Sequence, residues 1–249
     1  MNKKVLSLCL LLILWQILAL ITAREVILPY PIEVFNRIYE LLLSSEFYTT
    51  VLTTLLRANI GFMIALLSGI SIGFLAYFHT SVESFLSPIL SLLQTIPQIS
   101  YMIILIVWFE QTTCIMIIIL LMTFPIVYHN VLTGLKHIDD SLMDVIHLYH
   151  HPMFFMIRHV YLPLIRPYIE SAIDTILPFC LKVCVMAEVL IQAQKGVGAK
   201  LYFSRLNIDM AGVFAWTICL VLLLVIETKL VDKIMKHHKK KRLFTSKSK

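Results

Sequence analysis

Six apolar runs separated by short polar stretches set the pattern of this chain, at about residues 5–23, 52–78, 85–109, 114–128, 168–191 and 210–231. A helix needs about 20 apolar residues to cross the hydrocarbon core of a bilayer, so the pattern predicts an all-α, polytopic membrane protein with six transmembrane helices. The first run follows Lys3 and Lys4 and ends on Ala23, as a secretory signal does. It is long and lacks an A-x-A site, so it is expected to remain as the first helix. Residues 24–51 read as an extracytoplasmic segment, in which Leu28-Pro29-Tyr30-Pro31 leads into a peripheral amphipathic helix. Residues 52–231 form the core with five spans, and 232–249 a basic cytoplasmic tail.

Within the core, three patterns stand out. The second run carries Gly61, Ala65, Gly69 and Gly73 at intervals of four, a small-residue ridge that lets another helix approach closely where lipid offers no hydrophobic drive. The third is interrupted by Ser91, Gln94, Thr95, Pro97, Gln98 and Ser100. Pro97 is expected to kink it, and the polar side chains either line a watery path or join helices. The fifth holds Asp174, Lys182 and Glu188. On a helix, Asp174 and Glu188 fall within about 40° of one another, so both are expected to face the bundle interior, as pathway or gate lining or as part of a structural pair. Lys182 lies well around the helix from them, with its partner expected on another span or subunit.

Residues 144–167, DVIHLYHHPMFFMIRHVYLPLIRP, are a polar island between the fourth and fifth runs. Leu142, Val145, Ile146 and Tyr149 share one side of a short helix, with Asp140 or Ser141 as its N-cap. Pro152 suits the first turn of a second, whose apolar side is Met153, Met156, Ile157 and Val160, and which Pro163 ends. Two such helices on the cytoplasmic face make a docking surface.

The island resembles the cytoplasmic "EAA" loop of ABC importer permeases. Asp144 stands at the acidic place, Val145 and Ile146 at the alanines, and Val160, Leu162 and Pro163 at the closing I-x-L-P, while His150 replaces the usual glycine. Thr95-Ile96-Pro97 through Trp108-Phe109 resembles a segment of the nitrate, sulfonate, taurine and thiamine-precursor permeases, with Glu110 at a glycine place. Phe124-Pro125-Ile126 through Asp139 is similar to their entry to the loop, and Ala187-Glu188-Val189-Leu190 with Gly196-Val197-Gly198 to their "AEML…GLG". The resemblance implies a type I ABC importer permease-like bundle with coupling helices at about 136–166. It implies a permease homodimer, an ATP-binding cassette subunit that carries ATP and Mg, an extracytoplasmic solute-binding protein, and no cofactor bound by this chain.

Composition agrees with a membrane protein. Of 249 residues, 59% are hydrophobic and 14% charged, with mean hydropathy +0.86, against an apolar share of about half in soluble domains. The net charge of +6 gathers in the tail, which suits an anionic bilayer surface and not a nucleic acid. Lys3, Lys4, Lys136, Arg158, Arg166 and the tail place both termini inside; Arg24, Arg37, Lys195, Lys200 and Arg205 fall outside, where the last three offer charge to an anion. The five cysteines lie within apolar segments without ligand spacing, and the histidines of the island lack accompanying carboxylates or thiols, so no metal is expected. Gly196–Lys200 lacks the spacing of a phosphate loop, so no ATPase activity is expected. An ion-coupled secondary transporter and a degenerate, non-transporting scaffold remain as alternatives.

Overall fold

The computed structural model describes residues 3–139, 141–142 and 152–246, and the expected coupling residues Asp144, Val145, Ile146 and His150 lie outside them. Among the described residues every regular element is a helix: α1 (Lys3–Thr22), α2 (Pro31–Leu43), α3 (Ser45–Phe78), α4 (Thr80–Thr95), α5 (Gln98–Trp108), α6 (Gln111–Lys136), α7 (Met153–Leu164), α8 (Arg166–Leu190), α9 (Val197–Leu206) and α10 (Met210–Ser246). Four of these are long and apolar enough to span a bilayer, α1, α3, α6 and the first 22 residues of α10, and the bent pair α4 with α5 makes five. The six expected spans are therefore not reached by that criterion. The difference is α8, which at 25 residues is long enough but carries Asp174, Lys182 and Glu188.

The third apolar run differs from expectation. It is not one kinked helix but two, bent by 100° at Ile96-Pro97. Proline 97 has no N–H to continue the α4 ladder, and Ile96, extended at φ −69° and ψ 130°, takes the conformation favoured before proline. The Ser100 N–H then donates to the Pro97 carbonyl at 2.9 Å and opens α5.

The chain divides into two compact units, residues 57–184 and residues 1–56 with 185–249. In the unit 57–184, the small-residue ridge of α3 lies directly on α6. A Cβ placed on Gly61 would stand 2.6 Å from Ile119 Cγ2, one on Gly69 2.5 Å from Val127 Cβ, and one on Gly73 2.8 Å from Val131 Cγ1. Ala65 is fully buried on the same face. Each pair is separated by the same 58 residues, so α3 and α6 run parallel and in register. Two parallel neighbours require the segment between them to travel back to the starting side, which makes α4 and α5 a broken span and not a loop that turns round on one side. Lys136 at the end of α6 reaches Glu83 in the first turn of α4 at 2.6 Å, and Ala76, Leu90, Tyr128 and Leu132 form the core beneath that ion pair.

In the other unit, Phe47, Val51, Val185, Val197, Trp216 and Cys219 make the core, with Phe47 stacked on Trp216 at 5.4 Å. The Trp15 indole anchors α1 by donating to the Pro29 carbonyl at 3.1 Å while stacking on Phe214. Asp209 caps α10 by accepting from the Gly212 N–H at 2.8 Å, and its second oxygen takes Arg37 of α2 at 3.0 Å.

Candidate functional site

The expected coupling region is described at its start by two hydrogen bonds. Asp139 Oδ1 accepts from the Ser141 N–H at 2.9 Å and from the Ser141 hydroxyl at 2.8 Å, while Asp140, one of the two expected caps, lies outside the described residues. These bonds hold the Asp139 carboxyl below its ordinary range. A lowered carboxyl stabilises its folded arrangement at neutral pH and loses that contribution as pH falls through its depressed value.

Beyond the undescribed stretch, Pro152 is the N-cap of α7 and the helix continues through Pro163 to Leu164. Its middle, Ile157–Tyr161, is a π turn closed by the Leu162 N–H on the Ile157 carbonyl. The wider turn gives the Pro163 ring room beside the carbonyls it cannot bond. It also moves the buried face by one position: after Met156 the inward residue is Tyr161, 4% exposed, and not the expected Val160. The Tyr161 ring meets Phe74, Tyr77 and Phe78 edge-on, at centroid distances of 6.3, 6.0 and 5.4 Å. Thus α7 is rooted by one aromatic side chain in the end of α3. Its other side presents Met153, Phe154 and Phe155, with Phe154 74% exposed.

Removing that root is expected to be costly. Tyr161→Ala should lower stability by about 3–5 kcal/mol, the usual loss for a buried aromatic, whereas Tyr161→Phe keeps the three ring contacts and should cost less than about 1.5 kcal/mol. Thermal unfolding of the purified protein distinguishes the two.

The pathway candidates separate into exposed and buried groups. Gln94, Thr95, Pro97 and Gln98 cluster at the break between α4 and α5 and are all exposed. On α8, Asp174 and Lys182 are exposed, whereas Glu188 is fully buried. Asp174 is thus exposed and Glu188 enclosed within the chain, although the two lie within about 40° of one another on a helical wheel. Helix phase alone cannot show which neighbours cover each turn.

Glu188 is held by groups that its position in the sequence did not reveal. The Thr54 hydroxyl lies 3.1 and 3.0 Å from its two carboxylate oxygens, and the Gly198 N–H donates to Oε2 at 2.9 Å. Thr54 Oγ1 in turn accepts from the Val197 N–H at 2.8 Å. Gly196, at φ 123°, lets the chain pass so close that a Cβ there would stand 2.3 Å from Glu188 Oε1. The Gly196-Val197-Gly198 segment thus wraps a carboxylate of its own chain. The glycine spacing after Glu188 was the available signal, but Thr54 lies 134 residues away and carried none. The same unit has a cleft of about 550 Å³ lined in part by Arg37, Glu46, Lys200 and Asp209. Its cations are matched, Arg37 by Glu40 and Asp209 and Lys200 by Glu46, so Lys200 is not a free anion anchor. Among the described residues no group of three or more His, Cys, Asp or Glu side chains is arranged to hold a metal ion.

These features, parallel membrane helices, a broken span and a short helix rooted in the end of one of them, define a multi-pass helical membrane protein. The chain belongs to the family of binding-protein-dependent transport system inner membrane components, whose model matches residues 41–241. It is 30% identical over 82% of its length to a Bacillus subtilis protein named as an aliphatic sulfonates transport permease, SsuC, covering 76% of that protein. It is 27% identical over 90% of its length to the formylaminopyrimidine transport permease protein ThiX of Halalkalibacterium halodurans, covering 89% of it. In fold it is similar to a chain of the MetNI methionine ABC transporter in an inward-facing conformation, with TM-score 0.66 at 16% identity, covering 78% of this chain and 99% of that one. The protein is accordingly a permease component of an ABC importer, and its family works with an ATP-binding subunit and a solute-binding protein.

Proposed function

We propose that two copies of this chain form the pathway of an ATP-driven importer for a small organic or anionic solute. The loop at 136–166 engages a separate ATP-binding cassette subunit, which carries ATP and Mg, and an extracytoplasmic solute-binding protein delivers the solute. Both termini are cytoplasmic, in keeping with the charge of Lys3, Lys4 and the tail after Lys229. Relatives named for aliphatic sulfonates, for formylaminopyrimidine and for bicarbonate support that solute class.

The observation that carries the coupling reading is α7 itself. One short helix presents exposed Met153, Phe154 and Phe155 on one side and buries Tyr161 among Phe74, Tyr77 and Phe78 on the other. An exposed apolar cluster suits a protein partner, and the aromatic root passes a displacement of that cluster to the end of α3. Closure of the ATP-binding pair then biases the bundle between outward-open and inward-open states.

Asp144→Arg, and separately Ile146→Glu, test this in the complete transporter reconstituted in liposomes. The expected result is uptake reduced by about 5- to 150-fold, the range of a lost coupling free energy, with normal membrane insertion and substrate no longer stimulating ATP hydrolysis. Variants that keep normal substrate-stimulated hydrolysis and uptake overturn the lever.

A further inference from the structure

The charges of α8 are accounted for along its length, except in one place. Arg166 pairs with Glu170 at 2.6 Å. Glu188 is enclosed by Thr54 and Gly198. Asp174 interacts with other groups of the chain. Lys182 is exposed and forms no ion pair among the described residues.

Lys182 sits well inside the helix, eight residues before Leu190 and 16 after Arg166, or about 12 Å and 24 Å from the two ends. Its Cα–Cβ bond points toward the helix N-terminus, away from the nearer end, so its ammonium is directed deeper and not out to the closer interface. A lysine at such depth does not face lipid without a large cost. Serine and threonine do so readily when they bond their own helix, as Thr175 does to the Ser171 carbonyl at 2.9 Å. Yet Ser171, Thr175 and Lys182 lie within about 40° of one another, and all three are exposed. The opposite side, with Ile176, Leu177, Cys180, Leu181 and Cys184, is buried. Over residues 171–182 the side of α8 left exposed by the chain is the polar one, the reverse of a lipid-facing helix.

We infer that this face of α8 lines the aqueous route and that Lys182 is an anion-attracting station within it, favouring solutes with a carboxylate, sulfonate or similar oxyanion. The inference rests on the importer reading and adds a discriminating residue inside the membrane, separate from selection by the binding protein. The ammonium supplies three N–H donors and a positive charge. The Thr175 oxygen, whose proton is used within the helix, retains acceptor capacity for water along the route.

The test uses thiol reagents of opposite charge, so it does not require the natural solute. Thr175→Cys is introduced into the full chain with exposed Cys9 replaced; the other four native cysteines are buried. Right-side-out and inverted membrane vesicles are treated with the membrane-impermeant sulfonate and trimethylammonium methanethiosulfonate reagents. Labelling is expected, with the sulfonate reagent favoured relative to its rate ratio on a free thiol. Adding Lys182→Gln should reduce that preference by roughly fivefold, as removal of a unit charge about 10 Å away in a hydrated path requires, and Lys182→Arg should restore it. No labelling from either side means that lipid or a second copy covers this face, and overturns the inference. So does labelling whose charge preference is unchanged by Lys182→Gln. ATP-driven uptake by the assembled transporter, measured in parallel, separates the two levels. If it persists while the labelling prediction fails, Lys182 alone is misassigned; uptake that does not need ATP overturns the importer reading beneath it.

Discussion

Gly69→Ile is expected to yield no stable protein. At Gly69 even the first added carbon falls 2.5 Å from Val127 Cβ and 3.3 Å from the Tyr128 backbone nitrogen, and isoleucine adds three more. The helices cannot separate locally, because Gly61 and Gly73 hold α3 against α6 on both sides at comparably short range. Overpacking a well-packed core costs about 1–3 kcal/mol when side chains can shift. Here one neighbour is backbone, so the whole α3–α6 seam has to move, at several times that cost. Detergent-solubilised yield, monodispersity on gel filtration and thermal midpoint give the readout, with Gly69→Ala expected to fall between wild type and Gly69→Ile. Wild-type behaviour of the isoleucine variant would show the parallel register to be wrong.

The second large effect is expected at the buried carboxylate. Glu188→Ala removes the carboxylate that accepts from the Thr54 hydroxyl and the Gly198 N–H in a fully buried place. An unsatisfied buried donor costs about 1–3 kcal/mol, so the Gly198 N–H alone is expected to account for a loss of that size. Glu188→Gln retains an acceptor oxygen and should cost less. Gly196→Ala attacks the same knot twice, by contact with Glu188 Oε1 and by the φ of 123° that L residues rarely adopt. In the double variant the contact disappears but the backbone strain remains. The combined loss should therefore be smaller than the sum of the single losses yet larger than that of Glu188→Ala alone. Simple additivity in thermal or denaturant unfolding would mean that Gly196 and Glu188 do not touch.

Much of this arrangement is readable in the sequence, and the exceptions have a common cause. Apolar run length shows the membrane helices and the four-residue spacing from Gly61 to Gly73 shows a contact face, because both depend on local periodicity. The resemblance around residues 144–163 leads to the family to which the chain belongs. Periodicity fails where the helix changes its own period, as at the π turn that replaces Val160 by Tyr161 on the buried side. It also fails where proline does more than bend, as at Pro97, since nothing local fixes whether a freed carbonyl produces a kink or a 100° break. It cannot reach Thr54 from Glu188, or assign Asp174 and Glu188 different surroundings, because those depend on which distant segments lie alongside.

The in-register pairing of α3 with α6 also governs the order in which this protein is made. When the α3 ridge leaves the ribosome, its partner is still 58 residues from being synthesised, so that groove must wait among lipids while α4 and α5 emerge and turn back. Glycine and alanine present nothing that lipid rejects. The nascent chain can therefore store its future seam in the membrane, unoccupied, until translation delivers the helix that closes it.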